Sequence, residues 1–401
     1  MDSIQKKYII IGTSAAGLSA AHKIRQLDSV GIITCITEEE DLAYNKCLLA
    51  DFLASSIEYP TFKTEKFFSD NRIDVITQCR IISINREEKW VQDSNRNRYY
   101  YDALLLATGG NLIRPENKTV SCKNVFDFYT YGQTQGFKQY MQCSDVQTIL
   151  IIGAGLSGLE CADALQNYKK SLVVVEKAGR VLALQITSEA SEFLEKRIKS
   201  AHVNLLTNVT VTDFVIYEDR VSHVILSNGE KVLVDMVVYA LGARANLELP
   251  QRSGLEVAPQ GVIVNEFFQT NDFSIWAAGD ICRVYNTLTQ THIKSCTWPD
   301  AMQQGMYAAH GMVGIVKPYK GAAPVISSHF FGVKFFTAGI IEKRDVDDIV
   351  LIEESNDHYI MSIMRHNIVQ GFIIFGDNKS FFDLKHSLVT QSAYNKKLHT
   401  S

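Results

Sequence analysis

The sequence predicts an α/β protein with two doubly wound nucleotide-binding domains, one inserted into the other, and a small α+β domain at the C-terminus. Three observations predict it. A strand, a glycine turn, a helix and a second strand follow one another from Tyr8 to Thr37, and again from Thr148 to Glu176. Other apolar runs end in glycine, at Tyr101 to Gly110, Met236 to Gly242 and Ser274 to Gly279. From about Val325 the pattern changes to short apolar segments of antiparallel character.

The first unit opens on the β-branched strand Tyr8-Ile9-Ile10-Ile11, turns at Gly12 to Gly17, continues in an Ala-rich helix to Ile24 and returns over Val30 to Thr37. Continuous β-branched runs suit strands buried on both faces of a parallel sheet. Thr148 to Leu165 repeats that order and is followed by the strand Ser171 to Glu176. Tyr101 to Ala107 runs into Thr108-Gly109-Gly110, Met236 to Leu241 into Gly242-Ala243, and Ser274 to Ala278 into Gly279-Asp280. At the C-terminus His329 to Ile341, Asp348 to Ile352 and His358 to Phe375 predict an antiparallel meander, and Ser380 to Lys397 a closing helix. The expected domains are 1–115 and 245–319 for the outer nucleotide domain, 116–244 for the inserted one and 320–401 for the C-terminal one.

Composition narrows the function classes. With 401 residues, 46% of them hydrophobic and 21% charged, the chain has the material for several cores. A net charge of -4 without long like-charge runs gives no support to a nucleic-acid or polybasic membrane role. Met1 to Lys7 is too short and polar for a signal peptide, and the most apolar stretch, Thr148 to Leu165, is broken by Glu160 and Asp163. A soluble, cytoplasmic protein is expected. Its eight cysteines form no Cys-x-x-Cys and no metal-ligand spacing, so no metal is expected.

The sharper motif is Gly153-Ala154-Gly155-Leu156-Ser157-Gly158 after Ile149-Leu150-Ile151-Ile152. The first glycine serves the tight turn, the second the approach of backbone N–H groups to a diphosphate, and the third the contact of helix and strand. Glu176, closing the next strand, would accept from ribose hydroxyls and repel a 2′-phosphate, which favours NADH over NADPH; Lys177 and Arg180 argue the other way. The first copy, Gly12-Thr13-Ser14-Ala15-Ala16-Gly17, carries Ser14 in the second glycine's place, at a cost if the backbone angle there is positive. Glu38 is its ribose acceptor, with Glu39 or Glu40 able to hold the same place.

Five blocks in order now resemble the pyridine nucleotide–disulfide oxidoreductase superfamily: Gly12 to Gly17, Ala107-Thr108-Gly109-Gly110, Gly153 to Glu160, Tyr239-Ala240-Leu241-Gly242 and Ala277-Ala278-Gly279-Asp280. The resemblance implies an enzyme with FAD on the first fold and a nicotinamide nucleotide on the second. It implies that Asp280 hydrogen-bonds the ribityl chain, and that Glu160 lies near the nicotinamide side of the flavin. Trp298, in the segment Ser295 to Gly314, would open a helix aimed at the flavin pyrimidine, where a helix N-terminus stabilises negative charge. The C-terminal domain would complete a dimer or an acceptor face.

The branch turns on Ala43-Tyr44-Asn45-Lys46-Cys47-Leu48-Leu49. No second cysteine stands five residues from Cys47, so the dithiol chemistry of glutathione reductase-like members is not expected. The segment is similar both to rubredoxin reductases, which carry Tyr-x-Arg/Lys-Pro-x-Leu, and to single-cysteine NADH oxidases and coenzyme A-disulfide reductases. Cys47 in the first turn of a short helix, next to Lys46, would favour thiolate and could attack a disulfide or persulfide; it could equally fill a small apolar gap. Lys46 would lend charge to the flavin or its diphosphate. Ala15 replaces the His of the peroxidase and oxidase turn, which weakens peroxide chemistry. The expected activity is transfer of electrons from NADH through FAD to a small redox protein. Reduction of a thiol substrate through Cys47 is the alternative, and a nucleotide-binding sensor without chemistry a third reading.

Overall fold

The structure is a computed structural model and describes residues 5–114, 120–143, 145–294, 297–376 and 379–394. It forms two compact units: Met1–Cys47 with Tyr59–Asn111 and Ala243–Ala322, and Leu48–Glu58 with Leu112–Gly242 and Ala323–Ser401. The boundary expected at 115 falls on a residue outside the described ones, as do Ser295 and Cys296.

The first unit begins with β1 (Lys7–Ile11), α1 (Ala15–Leu27) and β2 (Ile32–Ile36). A short helix, α2 (Leu49–Leu53), belongs to the second unit, although the sequence places it in the outer domain. Its last carbonyls explain this: Phe52 O accepts from Lys138 Nζ at 2.6 Å and Leu53 O from Tyr168 Oη at 2.6 Å. β3 (Ile73–Ile76) and β4 (Ala103–Leu106) continue the first unit. The second unit then runs through β5 (Val125–Asp127), α3 (Tyr131–Cys143), β6 (Thr148–Ile152), α4 (Leu156–Leu165), β7 (Ser171–Val175), α5 (Ser188–Ser200), β8 (Asn204–Leu206) and β9 (Met236–Tyr239). The chain returns to the first unit with β10 (Ile275–Ala277) and α6 (Trp298–Val313).

Two parallel sheets of five strands result, ordered β10-β4-β1-β2-β3 and β5-β9-β6-β7-β8. They have the same plan, except that the edge strand comes from downstream in the first and from upstream in the second. Each reverses its order beside the strand that feeds the glycine turn, β1 or β6. At such a switch point the loops part and leave a crevice at the carboxyl ends of the strands. The cores are apolar runs closed to water: Ile10, Leu104, Leu105 and Ile275 in one, Leu150, Val173 and Val237 in the other.

The C-terminal part comprises β11 (Val325–Phe330), β12 (Val333–Gly339), β13 (Ile349–Glu354), β14 (Tyr359–Arg365), β15 (Ile368–Phe375) and α7 (Lys379–Thr390). The sheet is antiparallel but is no meander, for its order is β11-β12-β15-β14-β13. β15 is the most apolar strand and takes the centre, while β13, exposed at every residue, is left at the edge. Two expected strands are hairpins. Phe331 and Gly332 (φ 50° and 77°) split the first, and His366 and Asn367 (φ 50° and 63°) the second, as two-residue turns with positive φ at both positions do. α7 ends at Thr390, and the expected end at Lys397 lies outside the described residues.

Candidate functional sites: two glycine turns

In the first turn Gly12 has φ +112°, and a Cβ there would lie 2.2 Å from Ala107 O. A Cβ on Gly17 would lie 1.9 Å from Gly12 O. Neither position has space for a side chain, so the turn is wound as tightly against β4 as backbone allows. Ser14 is the N-cap of α1 with φ -90° and ψ -160°, an extended conformation that any residue adopts. The strain expected of a serine here is absent. Ala15 and Ala16 are buried, and Ala16 receives the backbone of α6, since a Cβ on Gly305 would lie 2.1 Å from Ala16 O.

Around this turn the structure leaves polar atoms to be used. Thr108 Oγ1 and Gln304 Nε2 are buried without a hydrogen-bond partner, although Gln304 Oε1 accepts from Gly279 N at 2.8 Å. Buried orphans of this kind mark a missing ligand or water. Gly109 (φ +63°) and Gly279 (φ +84°) make the bends that bring Thr108 and Asp280 into place. Burial pushes the Asp280 carboxyl up, opposed by the charges of Lys294 and Lys46. Trp298 opens α6, whose N-cap Thr297 accepts from Asp300 N at 3.3 Å, and stacks edge-on against Phe62 at 4.9 Å.

The acidic run resolves into separate roles. Glu38 is exposed and sits 3.8 Å from Arg80. Glu39 accepts from Tyr44 Oη at 2.5 Å and lies 3.7 Å from Lys46 Nζ. Cys47 is exposed in a 3₁₀ turn, Lys46–Leu48, that precedes α2, and its amide donates to Asn45 Oδ1 at 3.0 Å. The thiol therefore stands before the short helix rather than in its first turn.

The second turn repeats the geometry. Gly153 has φ +111° with Ala240 O 2.7 Å from a would-be Cβ, and Gly158 meets Gly153 O at 1.9 Å. Gly155 is the N-cap of α4 with φ -77°, and a Cβ there would meet open space. Leu156 and Ser157 form the first turn of α4, leaving the N-terminal N–H groups free of the helix ladder. Glu176 accepts from Ala154 N at 2.7 Å and Ala178 N at 2.8 Å, so the carboxylate is fixed against the turn itself. Arg180 is directed elsewhere, donating to Ala183 O at 3.2 Å. Gly242 (φ +81°) bends the chain after β9. Glu160, on α4, accepts from Ser328 Oγ at 2.5 Å; burial pushes its carboxyl up, against the pull of that hydrogen bond, and Asp51 adds to the rise.

Sequence reasoning missed Gln304 as a polar group of the first site and Ser328 as the partner of Glu160. Gln304 carries a weak signal in hindsight, a polar residue in an Ala- and Gly-rich helix. Ser328 carries none, being 168 residues away.

Residues 6–305 match the pyridine nucleotide-disulphide oxidoreductase family. The chain belongs to it. Residues 324–392 match the C-terminal domain of rubredoxin NAD+ reductase. Among the family's members, the rubredoxin-NAD(+) reductase of Pseudomonas putida is 27% identical over 347 residues, 86% of this chain and 88% of that one. The NAD(P)H coenzyme A polysulfide/persulfide reductase of Pyrococcus horikoshii is 26% identical over 89% of this chain and 82% of the relative. Of solved structures, the ferredoxin reductase of the CYP199A2 system from Rhodopseudomonas palustris superposes with a TM-score of 0.88 at 27% identity, covering 98% of both chains. This family member is an enzyme, an oxidoreductase that works with FAD and a nicotinamide nucleotide. The reading as a sensor without chemistry gives way to that. Among the described residues no helix is long and apolar enough to cross a membrane.

Proposed function

We propose that this oxidoreductase takes electrons from NADH and delivers them through FAD to a small redox protein. The match of residues 324–392 to a rubredoxin reductase C-terminal domain carries the choice of acceptor. When bound, FAD supplies a ring that accepts hydride and releases electrons onward. The protein's own part is placement and charge. The N–H groups at Ser14 to Gly17 and Gly155 to Gly158 receive the two diphosphates. Glu38 or Glu39 and Glu176 face the adenosine riboses, and Thr108, Gln304 and Asp280 meet polar atoms of the flavin nucleotide. Lys46 and the N-terminus of α6 at Trp298 favour negative charge on the ring. Glu176, held by two amides beside the turn, would lie against a 2′-phosphate, which supports NADH over NADPH. A cytoplasmic setting and a homodimer go with this reading.

A second reading has its own support, because the Cys47 thiol is exposed next to Lys46. The two part on one variant. Under the electron-transfer reading, Cys47→Ser keeps NADH-driven reduction of a rubredoxin-type acceptor within about threefold of wild type. Loss of turnover with polysulfide or coenzyme A disulfide, together with a charge-transfer band in wild type that the variant lacks, would shift the assignment to thiol chemistry.

A further inference from the structure

Glu160 and Ser328 come from separate segments of the second unit's chain, 168 residues apart, yet the Ser328 hydroxyl donates to Glu160 Oε1 at 2.5 Å. Glu160 sits on α4, one turn beyond Gly155, and Ser328 on β11. A second contact locks the same pair of elements: Phe331 N donates to Asp163 Oδ1 at 2.9 Å. Asp163 lies three residues on from Glu160, so β11 and its turn grip α4 at two carboxylates spaced i, i+3.

We infer that Ser328 is a positioning residue for Glu160, through which the C-terminal strand sets the orientation and charge of the acid beside the nicotinamide. The inference rests on the proposed placement of Glu160 at the nicotinamide. Among the described residues the charged group that acts on Glu160 is Asp51, from α2. Asp163, on the same helix, has its own partners in Phe331 N and in His329, next to Ser328. Burial, and to a lesser degree the charge of Asp51, disfavour the carboxylate; among the described residues the hydroxyl donating to it is the interaction that favours the ionised form. Desolvation and a single donor thus oppose each other on one carboxyl. Without the hydroxyl, Glu160 would take up a proton at higher pH and lose its fixed rotamer.

The experiment compares wild type, Ser328→Ala and Ser328→Thr as FAD-loaded proteins. The protonated carboxyl of Glu160 is followed by infrared difference spectroscopy and assigned by its loss in Glu160→Gln; NAD+ binding is titrated over the same pH range. The expected result is a midpoint raised by about one pH unit in Ser328→Ala and restored in Ser328→Thr, with NAD+ affinity changing at the same midpoint. A midpoint unmoved by Ser328→Ala overturns the inference. So does a uniform loss of binding at every pH that Ser328→Thr does not restore, since that is a merely structural role. A midpoint that moves while NAD+ binding ignores it would keep the hydrogen bond and sink the placement at the nicotinamide.

Discussion

Thr37 and Glu176 occupy the same position in the two sheets. Each follows the strand residue whose carbonyl accepts the amide of the turn's first glycine, Ile36 O from Gly12 N and Val175 O from Gly153 N, both at 2.8 Å. The inserted domain places a carboxylate there and the outer domain a hydroxyl, with Glu38 one residue later and exposed. The equivalence makes Glu176 the residue to test for nucleotide choice. Glu176→Gln keeps the shape and one acceptor but removes the charge. We expect NADH binding to weaken about tenfold and NADPH binding to change less, so that the ratio of the two kcat/KM values narrows. A ratio that stays as in wild type would show that some other group rejects the phosphate.

The first turn predicts a contrast between neighbours. Gly12→Ala places a methyl 2.2 Å from Ala107 O at φ +112° and must displace β4 or the turn. The purified variant should carry little or no FAD, measured as the flavin-to-protein absorbance ratio. Ser14→Gly removes a hydroxyl that makes no cap bond from a residue already at φ -90°. A glycine N-cap differs from serine by a few tenths of a kcal/mol. That variant should keep its flavin and its melting temperature within about 2 °C.

These turns were legible because their determinants are local: a β-branched run, glycines at fixed spacing and a small-residue helix all lie within some twenty residues. The C-terminal sheet was harder. Phe331-Gly332 lacks the Asn-Gly or Asp-Gly signature of a two-residue hairpin, so two strands read as one. The strand expected over Asp348 to Ile352 does form, but its apolar run Ile349 to Ile352 lies exposed at the sheet edge, where a meander would not place it. Within the site, Glu38 and Glu39 are indistinguishable by spacing. The Tyr44 hydroxyl and Lys46, arriving from a loop, hold Glu39, while exposed Glu38 lies beside Arg80.

Helix α6 packs on α1 through a missing side chain. A Cβ on Gly305 would lie 2.1 Å from Ala16 O, and Gln304, beside it, holds Gly279 N. Gly305→Ala should therefore press α1 and its turn away from α6 while shifting the Gln304 anchor. Overpacking of this kind costs about 1–3 kcal/mol. The expected outcome is a melting temperature lower by several degrees and faster loss of FAD on dilution. A variant with wild-type flavin retention would mean that α6 can slide without moving the turn.

Acid should weaken a tie made by a buried carboxylate beside the C-terminal sheet. Asp348, almost closed to solvent, accepts from Arg365 Nε at 2.8 Å and from the amides of Arg344 and Asp345 at 2.9 Å each. The Arg365 hydrogen bond, with the two amides, holds its carboxyl down to about 2. An unfolded aspartate titrates near 3.9. A folded value below the unfolded one means that the ionised form is bound more tightly in the native state. Its stabilisation is complete above the unfolded value and is lost as pH falls through about 2. Asp348→Asn should lower the melting temperature by several degrees at pH 7. The gap from wild type should narrow steadily between about pH 5 and pH 2 as wild type loses the same interaction. A gap independent of pH would assign the loss to packing of the 344–348 turn instead of to the carboxylate's charge.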